Sequence, residues 1–189
     1  PILFNVYEAL KDVAIEPPLE LTLVDQAAIQ IIHGNIIATI GNHLGDLQYY
    51  QRALARYQTA AETLTAESAP AEWATVKYHL AQTAQAIGEK GGGVSMLVEA
   101  LENYRSALVF FTKLDYPLEW AFLQSRVGLM LYKTDPVTGD SENLKAAVAA
   151  FQSALQVITR ASSPLKWSEI KCNLGQVLQV WGDSARSEE

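Results

Sequence analysis

A single cysteine, Cys172, stands among 189 residues, which excludes an intrachain disulfide and a cysteine-built metal site. On a helical pattern it reads as one more small residue. Basic residues are in the minority: 14 Lys and Arg against 21 Asp and Glu give a net charge of −7, the wrong sign for a nucleic-acid binder. The three histidines, His33, His43 and His79, are scattered and have no acidic cluster at ligand spacing, so no metal site is expected. Long apolar runs are missing as well. The nearest, residues 27–40, carries His33 and Asn35 in its middle, and neither a membrane span nor membrane binding is expected. No signal-peptide pattern opens the chain, which makes a cytoplasmic location the expectation. The chain starts at Pro1 and ends in GDSARSEE just after a helical pattern, as a piece of a longer protein would.

What is present is a core-forming composition, 49% hydrophobic and 19% charged, arranged in a repeat. PAEWA (70–74), PLEWA (117–121) and PLKWS (164–168) place Trp73, Trp120 and Trp167 at intervals of 47 residues without a gap. Eight residues past each tryptophan stand Ala81, Gly128 and Gly175, and one period earlier Gly34. Further on, Ala53, Ala100 and Ala147 recur, then Tyr57, Tyr104 and Phe151, then Ala60, Ala107 and Ala154. Spacings of three, four and seven put such residues on one helix face. Each unit is therefore expected to be a helical hairpin, with a small residue where two helices cross and Trp73 and Trp120 wedged against the partner helices.

The stretch GEKGGGVS (88–95) resembles a phosphate loop only superficially. That loop needs its lysine after the last glycine and directly before the hydroxyl, and Lys90 precedes Gly91, Gly92 and Gly93. In the repeat register it falls on GNHLGDLQ (41–48) and DPVTGDSE (135–142), with Gly45, Gly92 and Gly139 at one position. The expectation is a turn between two helices.

An apolar-then-small pair followed by A-x-x-x-[YF]-x-x-A resembles the tetratricopeptide repeat (TPR), in a long variant common in large bacterial multi-repeat proteins. The positions that carry the likeness are Gly34, Ala81, Gly128 and Gly175, the two alanine series, and Tyr57, Tyr104 and Phe151. The resemblance implies an all-α fold, a right-handed superhelical array of antiparallel helix hairpins (a TPR-like α-solenoid). It covers 19–189, about three and a half repeats; 1–18 form a separate N-terminal helix, either a cap or the remnant of a preceding repeat. The implied role is a protein–protein interaction scaffold, with homo-oligomerisation through the exposed end of the array as the alternative.

No catalytic constellation and no cofactor motif is found, and the chain is not expected to be an enzyme. The outward face of the first helices is expected to bind a protein or peptide segment along a concave side. The candidate contacts are Asn35, Tyr78, Gln82, Gln85, Arg126, Leu129, Tyr132 and Gln176, amides for a ligand's backbone and aromatics for its apolar side chains. In the first-helix windows Lys77, Arg126, Lys133 and Lys171 outnumber Glu169, so this side should be the least negative.

Overall fold

The computed structural model describes the backbone of all residues except 1, 17, 19, 139, 140, 188 and 189, and the side chains of all but these and 2, 3, 15, 136–138, 141 and 184–187. Among the described residues there are eight α-helices and no strand: α1 (Ile2–Ile15), α2 (Leu23–Leu44), α3 (Leu47–Thr63), α4 (Pro70–Ile87), α5 (Val94–Ala107), α6 (Pro117–Thr138), α7 (Ser141–Leu155) and α8 (Pro164–Ser187).

The prolines of the repeat open α4, α6 and α8, where the missing N–H would have had no partner anyway. Ahead of each lies the same turn. The Ser68 N–H donates to Thr65 Oγ1 at 3.0 Å and the Thr65 N–H to Ser68 Oγ at 3.2 Å. Thr159 and Ser162 repeat the exchange, both bonds at 3.1 Å. In the middle copy the Asp115 N–H donates to Thr112 Oγ1, whose hydroxyl donates to the Asp115 carboxylate. The three threonines are 47 residues apart, so the link between hairpins belongs to the repeat as much as the helices do.

Within the hairpins the first and third turns are tighter than the sequence suggests. Helix α2 runs on to Leu44, and only Gly45 and Asp46 separate it from α3. Gly45 takes the left-handed conformation at φ 69°, where glycine is favoured, and its N–H donates to the Gly41 carbonyl. Asp46 then caps α3 by accepting the Gln48 N–H at 2.9 Å. The GEKGGG stretch is a connector, as expected, but a wide one: α4 passes into a kinked turn over Gly88–Gly92, and Gly91 and Gly93 have φ of 100° and 91°. The third turn is shorter than 135–142, since α6 continues to Thr138; Gly139 lies outside the described residues.

The chain divides into two compact units, residues 1–103 and 104–189, with the boundary inside α5. In the first, α2 pairs with α3, α4 packs on α3 and touches α2, and α1 packs on α2. The N-terminal helix α1 thus belongs to the first unit. In the second, α6 pairs with α7, and α8 packs on α7 and touches α6.

The small and aromatic series meet as the repeat implies. Tyr57 and Phe151 are fully buried. A Cβ on Gly34 would lie 2.6 Å from the Tyr57 ring, and one on Gly128 would lie 3.1 Å from the Phe151 ring and from the Ala147 carbonyl. The alanines at 53, 60, 147 and 154 are buried to the last few per cent. Around them Ile37, Leu64, Val76 and Leu80 complete the first core, and Leu123, Met130, Leu144 and Val177 are buried in the second unit.

The tryptophans are not the wedges that the sequence suggested. Trp73, Trp120 and Trp167 are only half-buried, and each carries a cation over its ring: Lys77 at 5.7 Å, Lys113 at 5.2 Å and Arg160 at 6.0 Å. They sit near the helix starts, so one ring face covers the unit while the other meets a solvated charge.

Helix α2 also departs from the expectation about apolar runs. Taken whole, it is long and apolar enough to cross a membrane by length and composition. Here it lies in contact with α1, α3 and α4, and its interior residues Gln30, His33 and Gly34 are buried in those packings.

Candidate partner-binding site

The residue nine past each tryptophan position lies one step round the helix from the small residue that packs inward, so it meets the surface where the small residue meets the core. In the first unit this places Asn35 and Gln82 on α2 and α4, and the structure brings both into one open depression of about 310 Å³. Asn42, Tyr50, Tyr57 and His79 line it with them. Gln82 is exposed, and Asn35 is half-buried.

The lining has a fixed hydrogen-bond sense. The Tyr57 hydroxyl donates to Asn35 Oδ1 at 2.7 Å, and the Tyr50 hydroxyl donates to Asn42 Oδ1 at 2.6 Å. Each carboxamide oxygen is thereby engaged, which leaves the NH2 group of Asn35 and of Asn42 as the donors on offer. His79 stacks on Tyr57, centroids 5.1 Å apart and planes 10° from parallel. Burial raises the Tyr57 phenol above its ordinary pKa and lowers that of His79. At neutral pH the wall therefore presents a phenol and an uncharged imidazole. No carboxylate is among the lining residues. Lys90, from the glycine turn, holds its ammonium 5.6 Å from the Tyr50 ring centroid, a role for that lysine which the sequence pattern did not indicate.

The other expected contacts are distributed differently. Tyr78 is half-buried with its ring 5.4 Å from that of His79, beside the depression rather than in its lining. Gln85 is buried and donates to Glu89 at 3.0 Å, so its amide is spent within its own helix end. In the second unit Leu129 and Tyr132 are half-buried on α6 and Gln176 is exposed on α8. Arg126 lies over the Phe122 ring at 4.8 Å and 3.4 Å from the Glu169 carboxylate, so one of the four counted cations is partly neutralised at home. Asn42, Tyr50 and His79 were missed as lining residues. Asn42 and Tyr50 stand on either side of the two-residue turn between α2 and α3, which folds them together.

His33 is the other buried histidine. It lies beneath the Tyr7 ring, 5.2 Å between centroids, and both its nitrogens are buried without a hydrogen-bond partner. Burial, then the charges of Arg56 and Arg52, lower its pKa. Both histidines thus bind a proton less readily when folded than when unfolded, where they titrate near 6.5. The stability they confer is fully present above that pH and is lost as pH falls through it toward their lowered values. The melting temperature should drop as the pH falls below 6.5, and the His33→Gln/His79→Gln double variant should show a flatter profile there. Equal slopes for the two proteins would place the acid sensitivity elsewhere.

No family model matches the chain, and no curated protein matches it. Among solved structures, the crystal structure of BtubC (BKLC) from P. vanneervenii is similar at a TM-score of 0.50 and 17% identity, over 98% of this chain and 84% of that one. At that identity the likeness is one of fold. It agrees with an all-helical architecture and carries nothing about the depression.

Proposed function

We propose that this chain is a protein-interaction module of the TPR type, its hairpins stacked as a right-handed α-solenoid that takes a protein or peptide segment along the concave side. It has no catalytic role in this reading, and it serves as part of a larger bacterial cytoplasmic protein. The observation that carries the proposal is the donor-rich depression between α2 and α4. Its carboxamide NH2 groups, with Gln82 beside them and a lysine at Tyr50, suit the main-chain carbonyls or an acidic group of an extended segment. A module that binds backbone through amides needs no metal or cofactor.

Asn35→Ala combined with Gln82→Ala should weaken binding of a partner segment by roughly 1–4 kcal/mol, as truncation of interface anchors does. The exposed residues Arg105 and Gln152 serve as the control pair, and changing both to alanine should leave affinity unaltered. Titration calorimetry with the captured segment reads both. Loss of binding in the control pair with the Asn35/Gln82 variant intact would move recognition to the second helices.

A further inference from the structure

The first hairpin departs from the later ones at two repeat positions. Gln26 stands where they carry Trp73, Trp120 and Trp167, and Thr63 stands where the next one carries Phe110. Each exchange replaces a ring by a shorter polar side chain. In the structure both residues line one hollow of about 330 Å³ between α2 and α3, with Ala14 of α1 and Ala27 of α2 as its small walls.

The rest of the lining is polar, and its hydrogen-bond sense divides in two. Gln30 is only 5% exposed; its Nε2 donates to the Ala14 carbonyl, and its Oε1 is buried without a partner. A buried acceptor left unpaired costs stability until a donor reaches it. Gln26 donates its Nε2 to the Leu21 carbonyl at 3.1 Å, which leaves its Oε1 as an acceptor. Thr59 and Thr63 spend their hydroxyl protons on the Ala55 and Ala60 carbonyls, at 3.1 and 2.9 Å, and keep oxygen lone pairs. Arg56 of α3, which lines the same hollow, is the opposite case. Its guanidinium carries a full charge and donors only, and it has no ion pair among the described residues. No Asp or Glu lines the hollow.

We propose that this hollow binds a free α-amino acid, with its carboxylate on Arg56 and its ammonium among the oxygens of Gln26 and Gln30. The donors and acceptors select that class. A simple anion satisfies Arg56 but meets only acceptors elsewhere, and Gln30 Oε1 stays unpaired. A simple amine reaches the glutamine oxygens but stands beside a guanidinium that nothing neutralises. An α-amino acid carries both groups on one carbon, and the room left by the two missing rings holds it. The later repeats do not reproduce the arrangement: at the positions of Gln30 and Arg56 they have Lys77 and Asn103, then Gln124 and Ala150. The inference goes beyond the segment-binding role. It shares no residue with the depression between α2 and α4, so either reading can fail without the other.

Thermal melts of the full chain with each common amino acid in turn, at millimolar concentration, find the ligand, and titration calorimetry measures its affinity. At least one amino acid should raise the melting temperature progressively with its concentration, as a ligand held by the folded state alone does. Acetate, methylamine and inorganic phosphate at the same concentration should not. Arg56→Gln should weaken the binding about tenfold or more, the scale for losing a hydrogen-bonded charge. Gln26→Trp, which restores the residue of the later repeats, should fill the hollow and abolish binding while the variant still melts cooperatively. If one variant fails to fold, the other decides. No response to any amino acid overturns the proposal and leaves water as the partner of Gln30. An equal response to acetate, methylamine or phosphate overturns it too, because one charge alone would then suffice. So does amino-acid binding that either folded variant retains in full, because the ligand would then sit elsewhere.

Discussion

Phe151→Ala destabilises the second unit by about 3–5 kcal/mol, the range for truncating a large aromatic inside a core. The ring is fully buried, and it lies within about 3 Å of where a Cβ on Gly128 would stand. The helices α6 and α7 close upon it. Trp120→Ala costs distinctly less, although tryptophan is the larger residue and the more conspicuous mark of the repeat. Its ring is half-exposed and Lys113 lies over it, so truncation opens a surface notch rather than a cavity. Urea unfolding of the two variants ranks them directly. A Trp120→Ala loss equal to that of Phe151→Ala would show that the tryptophan carries the hairpin after all.

Gly34→Leu should cost about 1–3 kcal/mol or more, because overpacking a filled site forces side chains off their rotamers. The new Cβ alone would fall 2.6 Å from the Tyr57 ring. That ring cannot swing aside cheaply: its hydroxyl is bonded to Asn35 and its face is stacked on His79. The substitution recovers some helix propensity, at most about 1 kcal/mol, which is not enough to offset the clash. Gly175→Ala has the opposite expected sign. With open space in front of it, the added methyl should raise stability by up to about 1 kcal/mol. The same repeat position thus gives a loss in α2 and a gain in α8. Thermal melts of both variants decide it, and a gain for Gly34→Leu would mean that Tyr57 is not seated as described.

The depression was half legible beforehand. Asn35 and Gln82 share one repeat position, so helical spacing alone put them on a common face. Gln85 shares that face by the same arithmetic, yet it is buried and bonded to Glu89, because α4 passes there into the kinked turn. Asn42 and His79 recur in no pattern that spacing could flag, and Tyr50 stands in one, with Leu97 and Leu144, that marks it as a packing residue of the second helix. Lys90 looked like a fragment of a phosphate loop and is instead a cation over a tyrosine ring.

The sequence by itself determined the helical hairpin, its 47-residue period and the pairing of small residue with aromatic, because these follow from spacing and side-chain volume along a single strand of information. Tertiary structure decided what each repeated position does. Equivalent residues have equal local propensities but unequal neighbours, so Gly128 is packed and Gly175 is bare. Likewise Trp120 is a half-covered ring under a lysine rather than a wedge. Burial, charge and hydrogen-bond sense are set by what other helices bring to a residue, and a period in the chain does not contain that.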